Sequence, residues 1–159
     1  MSFTAGYWAL GALKPDIIAY IGCDMVYAAE AGKTSHFYGH GTADPLRDDM
    51  TLQSLEAKSN RLMAMAIMQN CAIVNLSSLP ESRLTFPRKT IADIKQLASH
   101  KEMIAHQKHL FDTKKINKAL SAESELGYLV ASGRYWESVN RFDPEQLQKI
   151  DDIWNDSGN

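Results

Sequence analysis

Two short apolar runs organise the N-terminal half of the chain, with a polar stretch and a longer apolar segment between them. The runs 17–23 and 71–76 are rich in β-branched residues and too short for amphipathic helices, so both predict strands buried on both faces. Between them, a helix is predicted that starts at 48–51 and reaches about residue 70. It is amphipathic in its first half and almost wholly apolar in its second. This order predicts a β–loop–α–β unit with parallel strands and a right-handed crossover.

Helices are predicted on both sides of this unit. The first helix is predicted to start at the N-cap Thr4 and to end at Pro15. Its predicted apolar face consists of Ala5, Trp8, Ala9 and Ala12. After the second strand, Thr90 and Asp93 resemble a capping box that opens another helix. Further helices are predicted at about 101–119, 122–132 and 145–155, with Gly133 as the C-cap of the second and Pro144 at the start of the third.

The predicted fold class is α/β. The elements indicate a partial Rossmann-like unit with an open, mostly parallel sheet at 1–90, followed by a helical C-terminal appendage at 91–159 that covers the sheet. Two strands are few for a complete doubly wound sheet, and an exposed sheet edge favours pairing with another chain. We therefore expect self-association or helices that cover the edges.

Composition fits an ordinary globular chain. At 159 residues, 45% hydrophobic and 23% charged, the sequence can form one core and is too short for two large domains. The apolar runs have the length of strands, and the first residues lack the pattern of a signal peptide, so we expect a cytoplasmic protein with at most peripheral membrane contact. Cys23 and Cys71 lie in the predicted strands without metal-ligand spacing, which indicates packed thiols.

Charge is segregated along the chain. Residues 88–118 carry eight basic and three acidic side chains, whereas 119–159 carry three basic and eight acidic ones. An anionic partner of the basic segment is one interpretation, and pairing of the basic with the acidic segment is the one we favour. Because no basic stripe interleaved with aromatic residues is present, we expect no binding of nucleic acid.

The residues best suited to chemistry follow the two predicted strands. Ligands of open α/β sheets bind outside the carboxyl ends of the strands, so both polar clusters are candidates for one crevice. The first cluster lies in a long stretch and contains Asp24, Tyr27, Ser35, His36, Tyr38, His40, Thr42, Asp44 and Arg47. The second contains Asn75, Ser77, Ser78, Pro80, Glu81 and Ser82.

His36 and His40 stand out because a tyrosine and two glycines surround them within seven residues. Glycine lets the backbone approach a ligand closely, and histidine is the side chain best suited to proton transfer near neutral pH. With Asp24 and Asp44 the same pair could hold a metal, although no HExxH motif is present. A structural role for either histidine is a third interpretation.

Five blocks of sequence, taken in order, resemble the C-terminal part of the small bacterial sialyltransferases. The same order occurs in related surface-polysaccharide and flagellin glycosyltransferase-like proteins. The blocks are ThrAlaGlyTyrTrpAlaLeu (4–10), IleAlaTyrIleGlyCysAsp (18–24), SerHisPheTyrGlyHis (35–40), IleValAsnLeuSer (73–77) and ProGluSerArgLeuThrPhe (80–86). The resemblance covers about residues 4–90.

The resemblance implies roles for individual residues. His40 matches the proposed general base of those enzymes, and Tyr27 is the tyrosine nearest to the positions that contact the donor phosphate. No metal or cofactor is implied. The other expected substrate contacts are Asp24, His36, Tyr38, Arg47, Asn75, Ser77 and Ser82.

The expected function is that of a nucleotide-sugar-dependent, inverting glycosyltransferase of surface glycan synthesis. By resemblance its partners are a CMP-sugar donor and a glycan acceptor. The similar enzymes also have an N-terminal nucleotide-binding half for which this chain has no room, so we expect a homo-oligomer, a subunit that supplies that half, a fragment or an inactive remnant. The alternatives are a non-catalytic carbohydrate- or nucleotide-binding or assembly protein and, third, a metal-dependent hydrolase using Asp24, His36, His40 and Asp44.

Overall fold

The protein is a mixed α/β structure that is mostly helical. The computed structural model describes residues 2–26, 54–96, 100–127, 130–134, 137 and 142–158. Its strands are β1 (Ile17–Tyr20) and β2 (Ala72–Asn75), and α1 continues into a π-helical segment, Ala9–Leu13. The helices of these ranges are α1 (Ser2–Trp8), α2 (Leu55–Met68), α3 (Ile91–Gln96), α4 (His100–Lys108), α5 (Thr113–Leu126) and α6 (Pro144–Ser157).

The two strands form a parallel sheet. Ile17 pairs with Ala72, and the register continues to Tyr20 opposite Asn75. Within the described ranges the sheet has two strands, each four residues long. A mixed α/β fold with an open parallel sheet is thereby confirmed, with strands shorter than predicted. A Rossmann-like identity stays a prediction.

Burial differs between the strands. All four residues of β2 are buried, as predicted. In β1 only Tyr20 is buried, whereas Ala19 is exposed and both isoleucines are half-buried. The prediction that the first strand is buried on both faces is therefore wrong. Among the described residues, β2 pairs with β1 on one side and with Arg88 on the other, whereas β1 pairs only with β2.

Helices cover both faces of β2. Ile73 belongs to the main core together with residues of α2 and α6, among them Leu62 and Trp154. On the other face, Ala72 and Val74 pack against Met103 and Ile104 of α4. The division into units at 1–90 and 91–159 stays a prediction, and the main core contains residues from both ranges.

The buried face of α1 is not the predicted one. Gly6 and Leu10 are buried, whereas Ala5, Trp8 and Ala12, members of the predicted apolar face, are exposed. A Cβ atom at Gly6 would clash with the Tyr20 hydroxyl and with Leu62, so glycine is what allows this close approach. The helix also begins before Thr4, the predicted N-cap.

The N-termini of two C-terminal helices are capped as predicted. The Thr90 amide and hydroxyl both donate to the Asp93 carboxylate, at 2.7 and 2.8 Å, and the Asp93 amide donates to the Thr90 hydroxyl. These bonds confirm the capping box. Asp143 caps α6, and Pro144 takes its first position.

The middle of the C-terminal region is divided differently from the prediction. The chain leaves the helix after Lys108 and starts α5 at the N-cap Asp112, whose carboxylate accepts from the Lys114 amide at 2.8 Å. Helix α5 then ends at Leu126, with Gly127 as a left-handed C-cap at φ 61°. Gly133, the predicted cap, lies in a turn outside any helix. The single helix predicted at about 101–119 is therefore two helices, with Asp112 as the N-cap of the second.

A partly buried polar network joins four helices. The Arg61 guanidinium donates to both carboxylate oxygens of Glu123, at 2.7 and 2.9 Å, and to the Tyr7 hydroxyl at 2.7 Å. The Trp154 indole also donates to Glu123, at 2.8 Å. These residues lie on α1, α2, α5 and α6, so the network fixes the four helices relative to one another.

Neither cysteine lies within a strand, contrary to the prediction. Cys71 is buried directly before β2, and burial raises the pKa of its thiol to about 11. Cys23 follows β1 and is half-buried. Both thiols are free, which agrees with their interpretation as packed thiols. In the described part of the chain, no helix is both long and apolar enough to span a membrane.

Candidate functional site

A crevice of about 550 Å³ lies at the carboxyl ends of both strands. Ile21 follows β1, and Leu76 to Ser78 follow β2, so the ends of the strands form one wall. The segment before α3 and its first residues form the other wall. The lining residues are Ile21, Leu76, Ser77, Ser78, Arg88, Lys89, Thr90, Ile91, Ala92 and Asp93. The volume is in the range of small-molecule sites, about 300–1,000 Å³.

Backbone pairing with β2 holds the second wall in place. The Asn75 amide donates to the Pro87 carbonyl, and the Lys89 amide donates to the Asn75 carbonyl, both at 3.0 Å. These two bonds add residue 88 to the sheet as a parallel bridge on the side of β2 that faces away from β1. The pairing thereby brings two consecutive basic residues, Arg88 and Lys89, to the crevice.

The Arg88 guanidinium is fixed by the loop after β2. It donates to the carbonyls of Ser77, at 3.1 Å, and Pro80, at 3.0 Å. Carbonyl oxygens satisfy donors without neutralising the positive charge. Because Arg88 forms no ion pair with any carboxylate of the described ranges, its charge remains available to an anion.

Among the described residues that line the crevice, Asp93 is the one that carries a carboxylate. Hydrogen bonds from the Thr90 amide and hydroxyl lower the pKa of Asp93, and the nearby Lys89 charge lowers it further. Asp93 therefore stays ionised at neutral pH and partly offsets the charge of Lys89. With Arg88 included, the described lining of the crevice is net positive.

Asn75, a predicted substrate contact, is buried within the crevice wall. Its side chain donates to the Ser82 hydroxyl at 3.0 Å and accepts from the Ser77 amide at 2.9 Å. The Ser77 hydroxyl in turn accepts from the Leu79 amide. Asn75 and Ser82 thus shape the loop after β2, and Ser77 lines the crevice.

Asp24 lies beside the same loop. Its backbone carbonyl accepts from the Arg83 amide at 2.9 Å, so the segments that follow the two strands are bonded to each other. The Asp24 side chain is half-buried, and its Oδ1 atom is enclosed without a hydrogen-bond partner in the described ranges. The two predicted polar clusters therefore meet at Asp24 and Ser82–Arg83.

Several predicted site residues lie outside the described ranges. They are Tyr27, His36, Tyr38, His40, Asp44 and Arg47. Their roles stay predictions. The described ranges contain no group of three or more potential metal ligands, and three of the four residues considered for a metal site fall outside these ranges.

A second cavity, of about 460 Å³, lies between α2 and the end of α6. Its polar side chains already have internal partners: Glu56 pairs with Arg83 at 2.7 Å, and the Asn60 amide group donates to the Trp154 carbonyl at 3.1 Å. The crevice at the strand ends is the better candidate because neither of its basic residues, Arg88 and Lys89, forms an ion pair with a carboxylate of the described ranges.

Sequence reasoning missed Arg88 and Lys89 as site residues. A signal was available, since two consecutive basic residues directly precede the capping box at Thr90 and Asp93. Helix N-termini favour negative charge, so basic side chains there indicate another function than capping. Their position beside β2 depends on the bridge at Asn75, which the sequence does not reveal.

Comparison of the chain with protein-family models, curated proteins and solved structures gives no match.

Proposed function

We propose that the protein is a sialyltransferase-like glycosyltransferase that binds a nucleotide sugar in the crevice at the carboxyl ends of β1 and β2. The observation that carries the proposal is the net positive crevice at these strand ends, with Arg88 held in place and without a carboxylate partner in the described ranges. The proposed fold is a partial Rossmann-like unit, for which a ligand at this end of the sheet is the expected arrangement.

The chemistry of the crevice suits a phosphorylated ligand. Ile21, Leu76 and Ile91 offer apolar surface, and Arg88 and Lys89 offer cationic groups. A nucleotide sugar has both an apolar ring face and phosphate oxygens. Arginine is well suited to phosphate because its planar guanidinium can donate two parallel hydrogen bonds.

The proposed reaction is an inverting displacement at the anomeric carbon. The acceptor hydroxyl oxygen forms the new bond to this carbon while the bond from carbon to the phosphate oxygen breaks. His40 takes the hydroxyl proton, and the nucleotide leaves with the electron pair of the broken bond. Tyr27 or Arg47, together with Arg88, stabilises the charge on the phosphate. General-base catalysis of this type contributes about 10²–10⁴ in rate.

Binding is tested first, by thermal shift with cytidine, uridine and adenosine nucleotides and their sugar conjugates. A ligand that binds only the folded state at 100 times its dissociation constant adds about 2.7 kcal/mol of stability. We expect a shift with cytidine nucleotides that Lys89→Gln reduces. Lys95→Gln, on the exposed end of the short helix α3, is the matched control and should leave the shift unchanged. No shift with any nucleotide would contradict the proposal.

Transfer is tested with the donor that gives the largest shift. His40→Ala should abolish transfer while nucleotide binding and the melting temperature stay nearly unchanged, and His36→Ala should lower stability as well. His106→Ala, on the exposed side of α4, is the control. Binding of the donor without transfer to any acceptor would favour the non-catalytic alternative.

A further inference from the structure

A single buried side chain folds the loop that follows β2. Asn75, the last residue of the strand, is 1% exposed. Its carboxamide oxygen accepts from the Ser77 amide at 2.9 Å, and its Nδ2 group donates to the Ser82 hydroxyl at 3.0 Å. Because these two partners lie near opposite ends of the loop 76–82, the Asn75 side chain ties both ends of the loop to the strand.

The same loop is anchored from outside at Arg83. The Arg83 amide donates to the Asp24 carbonyl at 2.9 Å, and its guanidinium donates to both carboxylate oxygens of Glu56, at 2.7 and 2.9 Å. Asp24 follows β1, and Glu56 lies in the first turn of α2. The loop therefore has a defined position relative to both strands and to α2.

The carbonyls of this loop hold Arg88. Its guanidinium donates to the carbonyls of Ser77 and Pro80. The Arg88 main chain is held as well, because the amide and carbonyl of Asn75 bond to the two chain neighbours of Arg88. Asn75 thus acts on Arg88 in two ways, through its own backbone and, by way of the loop, through its side chain.

The bonds to the loop leave donors on Arg88 for a ligand. A guanidinium has five N–H groups, and the two carbonyls take one each, so three remain in the described ranges. A ligand that meets an arginine already held in place avoids the cost of ordering a long side chain. This saving is worth about two- to twelvefold in affinity.

We propose that Asn75 and Ser82 are positioning residues, which act through the loop 76–82 to hold the Arg88 guanidinium ready for a phosphate group in the crevice. The identity of the ligand as a nucleotide sugar rests on the proposed function, whereas the positioning concerns any phosphate that Arg88 binds. Lys89 offers the contrast, because it lines the same crevice but its side chain takes no part in these hydrogen bonds.

Nitrogen-15 NMR of the free protein tests the positioning without any ligand. The Arg88 Nε–H signal, identified by its loss in Arg88→Lys, should have a high order parameter in the wild type. Ser82→Ala removes the hydroxyl that accepts from Asn75 and should lower this order parameter, whereas Ser82→Thr keeps a hydroxyl and should retain it. Ser124→Ala, on the exposed side of α5, is the control for loss of a hydroxyl.

A second variant, Asn75→Ala, removes both side-chain bonds and should lower the Arg88 order parameter further. If Asn75→Ala does not fold, Ser82→Ala decides the question alone. An Arg88 order parameter that is unchanged in every folded variant of Asn75 and Ser82 would overturn the proposal.

Calorimetric titration with inorganic pyrophosphate and with CMP tests the consequence for binding. Arg88→Lys keeps the charge but lacks the planar fork of donors, so we expect weaker binding than in the wild type. Ser82→Ala should raise the dissociation constant by about two- to twelvefold, because the ligand must then order the Arg88 side chain itself. Ser82→Thr should restore the wild-type affinity.

A double-mutant cycle separates positioning from a general loss of structure. In the Ser82→Ala background, the loss of affinity caused by Arg88→Lys should shrink, because the arginine is no longer held. The loss caused by Lys89→Gln should be the same in both backgrounds, since independent sites are additive. Equal losses from Arg88→Lys in the two backgrounds would overturn the proposal.

The outcomes distinguish this inference from the proposed function. Pyrophosphate binding with the expected coupling of Ser82 to Arg88, but without binding of any nucleotide, would contradict the proposed function alone. Nucleotide binding without that coupling would contradict the positioning alone. A wild-type protein that binds neither pyrophosphate nor CMP would overturn both.

Discussion

Two arginine–glutamate pairs of the described ranges, Arg61–Glu123 and Arg83–Glu56, share the same geometry and differ in burial. In both pairs the guanidinium donates to the two carboxylate oxygens at 2.7 and 2.9 Å. The side chains of Arg61 and Glu123 are 29% and 9% exposed, whereas those of Arg83 and Glu56 are 43% and 39% exposed. The pairs therefore separate the effect of burial from the effect of distance.

We predict that the buried pair is coupled several times more strongly. Removing one partner of a fully buried pair costs about 3–5 kcal/mol because an uncompensated charge remains. Arg61 keeps partial access to water, so we expect a coupling energy of about 2–3 kcal/mol for Arg61 and Glu123. For Arg83 and Glu56 we expect about 0.2–1 kcal/mol, as for exposed pairs.

The pKa of Arg61 agrees with this expectation. Burial alone would lower it, but the hydrogen bonds and charge of Glu123, with a further contribution from Tyr7, raise it above the usual value. The guanidinium therefore stays protonated. Loss of the Glu123 charge also deprives the Trp154 indole of a charged acceptor.

Two double-mutant cycles measure the difference. One combines Arg61→Met with Glu123→Gln, and the other combines Arg83→Met with Glu56→Gln. Urea unfolding followed by circular dichroism gives the free energies of unfolding, and unchanged m-values show that unfolding remains comparable. High salt should weaken the coupling of the exposed pair more than that of the buried pair. Equal coupling energies in the two cycles would refute the argument from burial.

Two further predictions concern buried polar groups. Gln107→Leu leaves the amide and carbonyl of Ile73 unpaired, so we expect a loss of about 2–4 kcal/mol in urea unfolding, against no change beyond about 0.5 kcal/mol for the exposed control Gln148→Leu. At Asp151, burial raises the pKa from 3.8 to about 6. The folded state thus binds this proton more tightly than the unfolded state, and stability falls as pH rises from 3.8 to about 6. Because the group is half-exposed, Asp151→Asn should gain only about 1 kcal/mol at pH 7 and remove that fall, and unfolding curves at pH 4 and pH 7 that match the wild type would contradict this.

The sequence determined the features that depend on neighbouring residues. The apolar runs around Ile18 and Ile73 placed both strands and their parallel order. The sequence predicted the capping box of Thr90 and Asp93 and the helix start at Asp143-Pro144. Both depend on hydrogen bonds between a side chain and a residue at most three positions away. Asp112, which caps α5 in the same way, was overlooked within a continuous helical pattern.

The candidate site could be predicted only in part. Polar residues after each strand indicated the carboxyl ends of the sheet, and Ser77 does line the crevice there. The fixed position of Arg88 depends on bonds to Ser77 and Pro80, and the sequence does not state which loop a guanidinium reaches. Asn75 was a predicted substrate contact because its polar side chain lies at the end of a strand. That side chain instead bonds within the protein, to Ser82 and to the Ser77 amide.

Tertiary structure alone decided which surfaces are buried. The face of α1 with Ala5 and Trp8 is as apolar as the face with Gly6 and Leu10, but the latter is the one that packs against Tyr20 and Leu62. Likewise β1 and β2 are similar in sequence, but Gln107 closes one edge of the sheet while the edge at Ala19 stays open in the described ranges. The hydrophobic pattern of a segment indicates its secondary structure, whereas its burial depends on partners that are distant in the chain.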